Sequence, residues 1–264
     1  MAGCEGYTAL ARVYDLLNRE IDYAAWADFY ETCFDRFLPT RPSLVLDLAC
    51  GTGRLTRILS SRGYDMIGVD GSEDMLSEAY MQSVEGDSIL YLAQDMRSFE
   101  LYGTVGAVVS SLDSVNYLLS PEDLLTCFRT VHNYLDPDGL FLFDVNSPYK
   151  FEKIYGDNAY ILENEFPAEP ALSLPAAAVF CGWQNQYDRE TRLCDFFLTI
   201  FEEQEDGSYR REEEHQTERC YTPEELIGAL MAAGFECLGC FGGPDLSPVT
   251  PTTERLFYVA RAKK

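Results

Sequence analysis

SLVLDLACGTGRLT, residues 43–56, decides the fold. Ser43–Cys50 is an apolar run broken only by Asp47, the pattern of a parallel strand buried on both faces. Gly51-Thr52-Gly53 turns the chain, and Gly53–Arg62 reads as a helix. Glycines at such a turn let the backbone approach a ligand that a side chain would block. The rhythm repeats downstream. Asp65–Asp70, Ile89–Asp95, Gly106–Leu112 and Gly139–Val145 read as strands. Ser72–Tyr80 reads as a helix capped by Ser72, and Pro121–Leu135 as one with proline in its first turn. Asp136-Pro137-Asp138-Gly139 reads as the turn before the fifth strand.

Five strand–helix repeats predict an α/β, Rossmann-like sheet, mostly parallel, with helices on both faces. After residue 150 the pattern changes to aromatic and polar alternation. Ala178–Tyr187, Cys194–Gln204 and Tyr209–His215 read as an antiparallel meander, with Gly207-Ser208 at a hairpin tip. Helical spacing returns at Thr222, where Thr222 and Glu225 form a capping box. Phe235–Phe241 and Arg255–Ala262 bring the main sheet to seven strands. The expected organisation is one domain from residues 1–150 and 216–264, with 151–215 inserted as a small antiparallel β lid. The first forty residues read as helices, with Tyr23-Ala24-Ala25-Trp26 inside one. Tyr7 and Tyr14 share a helix face, either over a ligand or as a core stripe.

Composition bounds the function. The 264-residue chain carries a formal charge of −24, a surface that repels phosphate backbones, so nucleic acid is not an expected partner. No apolar run spans a bilayer and the N-terminal stretch lacks a signal-peptide pattern, so a cytoplasmic enzyme without membrane association is expected, as monomer or homodimer. The nine cysteines sit mostly in apolar surroundings and read as reduced fillers. Cys237 and Cys240 have CxxC spacing but lie in a strand, with no second pair to complete a metal site.

Three features choose the ligand of the first loop. The third glycine of a dinucleotide fingerprint would fall at Thr56. Asp47 precedes the loop, where it would repel a pyrophosphate but attract an ammonium group. Asp70 ends the second strand, nineteen residues after Gly51, where an acid can accept from ribose hydroxyls. Asp47, Gly51, Gly53 and Asp70 all stand at strand ends, where open α/β sheets bind ligands.

VLDLACGTGRLT resembles motif I of class I S-adenosylmethionine-dependent methyltransferases; GVDGSEDML resembles their second motif and AQDMRSF their third. The opening YxxLAxxYD pattern, SLDSVNYL after strand four, and the later β insertion resemble a bacterial small-molecule subgroup. That resemblance implies S-adenosylmethionine as cofactor. It implies Asp47 at the methionine ammonium and the backbone of Ala49, Gly51 and Gly53 along the methionine. It implies Asp70 and Gly71 at the ribose, and Met75, Asp95 and Met96 around adenine. Leu112 would lie near the methionine tail, and Tyr14, with Tyr7, would close over the cofactor. The alternative reading of Met75 is core, and that of Asp95 a turn residue.

On the acceptor side, Asp113 and Tyr117 follow strand four and His215 closes the insert; these are the candidate proton acceptors. His215 is either a base or a solvated strand-end residue. Asn116, Asn146 and Trp183 are candidate substrate contacts. Trp183, Asn185 and Tyr187 alternate on one strand face, lining a pocket or packing the insert. The expected activity is methyl transfer to a small-molecule N or O acceptor. Competing readings are a cofactor-binding sensor or partner subunit without turnover, and a nicotinamide oxidoreductase.

Overall fold

A computed structural model describes residues 7–83, 88–166, 177–204 and 206–264. The main sheet has seven strands: β1 Leu44–Leu48, β2 Asp65–Asp70, β3 Leu90–Ala93, β4 Val105–Ser110, β5 Leu135–Asn146, β10 Phe235–Phe241 and β11 Arg255–Ala262. Their order is β10-β11-β5-β4-β1-β2-β3. β1 pairs in parallel with both β2 and β4, so strand order reverses at its C-terminal end. β11 runs antiparallel between β5 and β10.

Side-chain alternation builds a core on each face. Val45, Leu140 and Leu142 point toward α2 (Tyr23–Phe37) and α3 (Arg54–Ser61). Leu46, Phe141 and Phe143 point toward α5 (Pro121–Tyr134) and α6 (Pro223–Ala232). Phe143 stacks on Tyr258 of β11 with ring centroids 5.1 Å apart. Truncating such a buried ring costs about 3–5 kcal/mol, so the β5–β11 register is strongly specified.

The caps read from sequence are present. Ser72 Oγ accepts from the Met75 amide at the start of α4 (Glu73–Met81), and the Thr222/Glu225 capping box opens α6. Three expectations change. No helix joins β3 to β4; residues 94–104 are turns and irregular backbone. The Asp136–Gly139 turn lies within β5 as an excursion of its edge, where the register with β4 slips between Val105 and Ala107. Tyr7 is not helical: it has φ 64° and precedes α1 (Tyr14–Leu17), so its approach to Tyr14 is not a helical stripe.

The insert is a four-stranded antiparallel meander, β6 Ala159–Phe166, β7 Ala177–Asp188, β8 Leu193–Glu203 and β9 Tyr209–Arg219. Its first strand went unread in the sequence, and its last strand runs on past His215. The inner face, with Cys181, Phe196 and Leu198, packs on Leu10, Val13 and Leu16. The N-terminal segment is therefore clamped beneath this sheet. The eight cysteines among the described residues are free thiols, five of them buried; Cys4 lies outside the described residues. Among the described residues no helix is long and apolar enough to cross a membrane.

Candidate active site

A cleft of about 550 Å³ opens at the C-terminal ends of β1, β2 and β4. That volume lies within the ordinary range of small-molecule sites. Asp47, Ala49, Gly51, Asp70, Gly71, Met75, Asp95, Met96, Leu112 and Tyr14 all line it, so residues from six segments converge as the motif spacing anticipated. A second depression, over Ser98, Thr130 and Tyr134, lies away from these strand ends.

Asp47 is 1% exposed and its carboxylate accepts from the Thr56 hydroxyl at 2.6 Å. Burial, with the nearby charge of Asp70, pushes its carboxyl up to about 7; the Thr56 hydrogen bond opposes the rise. Thr56, met in the sequence as a missing glycine, is thus the partner of Asp47. Asp70 accepts from the Gly51 amide at 2.7 Å and the Ser72 amide at 2.8 Å. Burial raises this carboxyl too, against those backbone hydrogen bonds. Asp70 so ties the first loop to the second.

The loop after β1 alternates left-handed residues: Ala49 at φ 60°, Gly51 at 56° and Gly53 at 69°. A Cβ built on Gly51 would meet nothing within 4 Å, so that glycine borders open space in the cleft. Gly53 has a different task. It lies outside the cleft lining, and a Cβ there would run into the Tyr91 ring. The second glycine serves loop-to-sheet packing, a correction to its expected ligand role.

Tyr23 and Arg54 are among the lining residues that the sequence reading did not single out. Tyr23 opens α2, and the Arg54 guanidinium stacks 4.7 Å from its ring centroid. Arg54 Nη1 is buried in the cleft wall without a hydrogen-bond partner. Asp95 lines the cleft with a carboxylate already held by Arg97, Nε at 2.9 Å and Nη2 at 2.5 Å. This pairing holds the Asp95 carboxyl below its usual range.

The chain leaves β4 through two left-handed non-glycine residues, Leu112 at φ 56° and Asp113 at φ 59°. Such pairs persist only when their surroundings over-determine them. Here buried Asp144 does so: it accepts the amides of Leu112 at 2.9 Å and Asp113 at 3.1 Å, and the Trp26 indole at 3.1 Å. Arg255 bridges Asp144 and Asp113.

The acceptor-side candidates separate. Tyr117 lines the cleft; its hydroxyl accepts from Tyr7 at 2.7 Å and donates to Gln216 Oε1 at 2.7 Å. Gln216 in turn donates to Glu214, which accepts the amides of Tyr7 and Leu10. This circuit joins the N-terminal segment, the loop after β4 and strand β9 of the insert. Asn116 and Asn146 are fully buried and lie outside the cleft lining. Asn116 accepts from the Asn146 amide and donates to the Arg219 carbonyl, which makes it a structural tie. Trp183 packs inside the lid against Phe196, also outside the cleft lining.

His215 points away from the cleft. Alternation on β9 turns Glu214, Gln216 and Glu218 inward and His215 outward, where it stacks on Phe197 at 4.7 Å and meets Asp195 at 2.9 Å. Its side chain is 54% exposed, the solvated strand-end reading.

Comparison with known proteins agrees with this arrangement. Residues 45–139 match the profile of a family described as "Methyltransferase domain". Over 269 residues the chain is 30% identical to "Putative methyltransferase YqeM" of Bacillus subtilis (strain 168), covering 98% of both chains. This chain belongs to the class I S-adenosylmethionine-dependent methyltransferases. The crystal structure of an S-adenosylmethionine-dependent methyltransferase from Clostridium acetobutylicum ATCC 824 superposes on this methyltransferase with a TM-score of 0.83 at 29% identity, over 97% of this chain and 98% of that one. A Streptomyces fradiae relative named "dTDP-3-amino-3,6-dideoxy-alpha-D-glucopyranose N,N-dimethyltransferase" is 30% identical over 242 residues, 89% of this chain and 87% of its own. The methyltransferase uses S-adenosylmethionine as its cofactor and transfers the methyl group. Its cleft fits that molecule: buried Asp47 and the unpartnered Arg54 nitrogen complement a zwitterionic amino-acid end, and open space over Gly51 admits close backbone approach.

Proposed function

We propose that this methyltransferase N-methylates a small-molecule amine. One observation carries the reading: three tyrosine rings meet at the cleft mouth with carboxyl groups behind them. Tyr7 lies 5.9 Å from Tyr14 and 5.6 Å from Tyr117, and all three line the cleft. Aromatic faces backed by acids suit an amine in either charge state. The Streptomyces fradiae relative, named for an amino sugar, supports the same class.

In this reading Asp47 and Arg54 hold the methionine end of the cofactor, with Ala49, Gly51 and Leu112 beside it. Asp70 and Gly71 take the ribose; Met75, Asp95 and Met96 surround the adenine, and Tyr14 closes the site. The cofactor supplies a methyl group on a sulfonium, so no covalent enzyme intermediate is required. The chain's part is to align the acceptor, exclude water and take one proton. As the acceptor nitrogen's lone pair forms its bond to the methyl carbon, the S–C bond gives its electron pair to sulfur and the nitrogen becomes cationic. Asp113 accepts the nitrogen's proton. It lies outside the cleft lining, between the lining residues Leu112 and Ser114, and against the effect of burial Arg255 and Lys150 keep its carboxyl below the usual range. Tyr117, whose phenol burial keeps protonated, orients the amine. The second sheet acts as a lid. The acidic surface fits a cytoplasmic enzyme, monomeric or homodimeric, working on solutes rather than on nucleic acid or membranes.

The test is methyl transfer from tritiated S-adenosylmethionine to a panel of small amines, amino sugars included, each paired with its hydroxyl analogue and read by mass spectrometry. Methylation of amines alone is expected. Label entering only the hydroxyl partners would overturn the assignment.

A further inference from the structure

Beneath the lid, at the ends of β4 and β5, three carboxyl groups and two cations are packed together. Asp144 accepts from two amides and the Trp26 indole and pairs with Arg255. Arg255 also pairs with Asp113 at 2.6 Å. Lys150 Nζ donates to Asn146 Oδ1 at 3.0 Å and lies 5.0 Å from the Tyr155 ring centroid. The third carboxyl is Glu218 of strand β9, 3% exposed, which accepts from Asn146 Nδ2 at 2.9 Å and stands close enough to the Asp113 carboxyl for the two to share a proton. At most two cations face these three carboxyls, and burial and the Arg255 charge push the Lys150 pKa down. A third negative charge in so dry a place would stand uncompensated, so one carboxyl keeps its proton. Asp113 touches Arg255 directly, whereas the donor resolved on Glu218 is a neutral amide.

We propose that Glu218 is a positioning residue for methyl transfer: it carries the single proton of the Asp113–Glu218 pair, donates it to Asp113, and so keeps Asp113 charged and ready for the acceptor's proton. This rests on the role given to Asp113 above. Burial drives the Glu218 carboxyl well above its ordinary range and the Asp113 charge adds to that, while Asn146 and Lys150 oppose it. The remaining titratable groups facing Glu218 are Tyr7, Tyr117, Tyr155 and Cys194, all of which burial holds in their neutral forms. They cannot supply the missing positive charge. Because Glu218 belongs to the lid and Asp113 to the main domain, the proton-accepting arrangement exists only with the lid seated.

Infrared spectroscopy at neutral pH tests this without an acceptor, in full-length enzyme carrying Asp47→Asn so that the partly neutral Asp47 carboxyl contributes no band. In that background the C=O stretch of a protonated carboxylic acid is expected, shifted in D2O and lost when Glu218→Gln is added. It should also vanish when Asp113→Asn is added, because removing that charge leaves two cations to face Asp144 and Glu218, and Glu218 ionises. A background enzyme lacking the band, or one retaining it with Asp113→Asn, would overturn the proposal. Thermal unfolding gives a second readout. A carboxyl with a raised folded-state pKa loses stability as pH rises, so the Tm advantage of Glu218→Gln over wild type should grow from acid to alkaline pH. A pH-independent difference refutes the shared proton. Since neither measurement uses an acceptor, their failure leaves the amine assignment to its own test.

Discussion

The proposed pairing of Asp47 with the methionine ammonium makes cofactor binding depend on pH. With its carboxyl pushed up to about 7 by burial and Asp70, half of the free enzyme carries a neutral Asp47 near neutrality. A neutral carboxyl cannot pair with the methionine ammonium, so only the ionised fraction binds tightly, and the apparent Kd scales inversely with that fraction. Against its alkaline limit, S-adenosylmethionine affinity should fall about 10-fold at pH 6 and about 100-fold at pH 5, close to 1.4 kcal/mol per pH unit. The sign is fixed: the group is raised, so binding weakens as pH falls through 7. Titration calorimetry with S-adenosylhomocysteine from pH 5 to 8.5 reads this directly. Asp47→Asn should lose most of the affinity at pH 8 and show a much flatter profile, while the Thr56 hydroxyl keeps a partner oxygen. An affinity constant across that range in the wild type, or an unchanged slope in Asp47→Asn, would refute the reasoning.

Arg54→Met, which removes the guanidinium stacked on Tyr23 together with its unpartnered Nη1, should weaken S-adenosylhomocysteine binding about 10-fold with Tm lowered only slightly; calorimetry and thermal melts separate the two effects. Arg255→Met leaves Asp113 and Asp144 buried without their cation and should cost about 3–5 kcal/mol in urea unfolding; a loss under about 1 kcal/mol would show the cluster to be solvated. His215→Ala removes an exposed ring on the outer lid face, so cofactor affinity and turnover should match wild type, with stability changed by no more than about 0.5 kcal/mol; a collapse in turnover would return His215 to the site.

The sheet was legible because its signals are local. Continuous apolar runs mark β1, β2 and β5, and capping residues mark α4 and α6, all within a few neighbours of one another. The cofactor side was legible because its groups sit at strand ends, and strand ends are what periodicity locates. The same reasoning faltered where one residue type serves two purposes. Gly51 and Gly53 are alike in sequence, yet one borders open space and the other accommodates Tyr91 from the neighbouring strand β3. His215 was a titratable residue in an acidic run; the register of β9 against β8, opposite Phe197, turned it outward.

By itself the sequence determined the layered α/β architecture and the carboxylates and glycines of the nucleoside cleft, because strand period, turn chemistry and helix capping act between residues close in the chain. Only the tertiary structure decided the acceptor side. Asp113, Asp144, Lys150, Glu218 and Arg255 come from four separate stretches of chain; strand ends single out Asp113 and Asp144, but nothing local marks Lys150, Glu218 or Arg255 or shows that the five meet. Their charges have meaning only relative to one another and to the water the lid excludes, and both are set when distant strands pack.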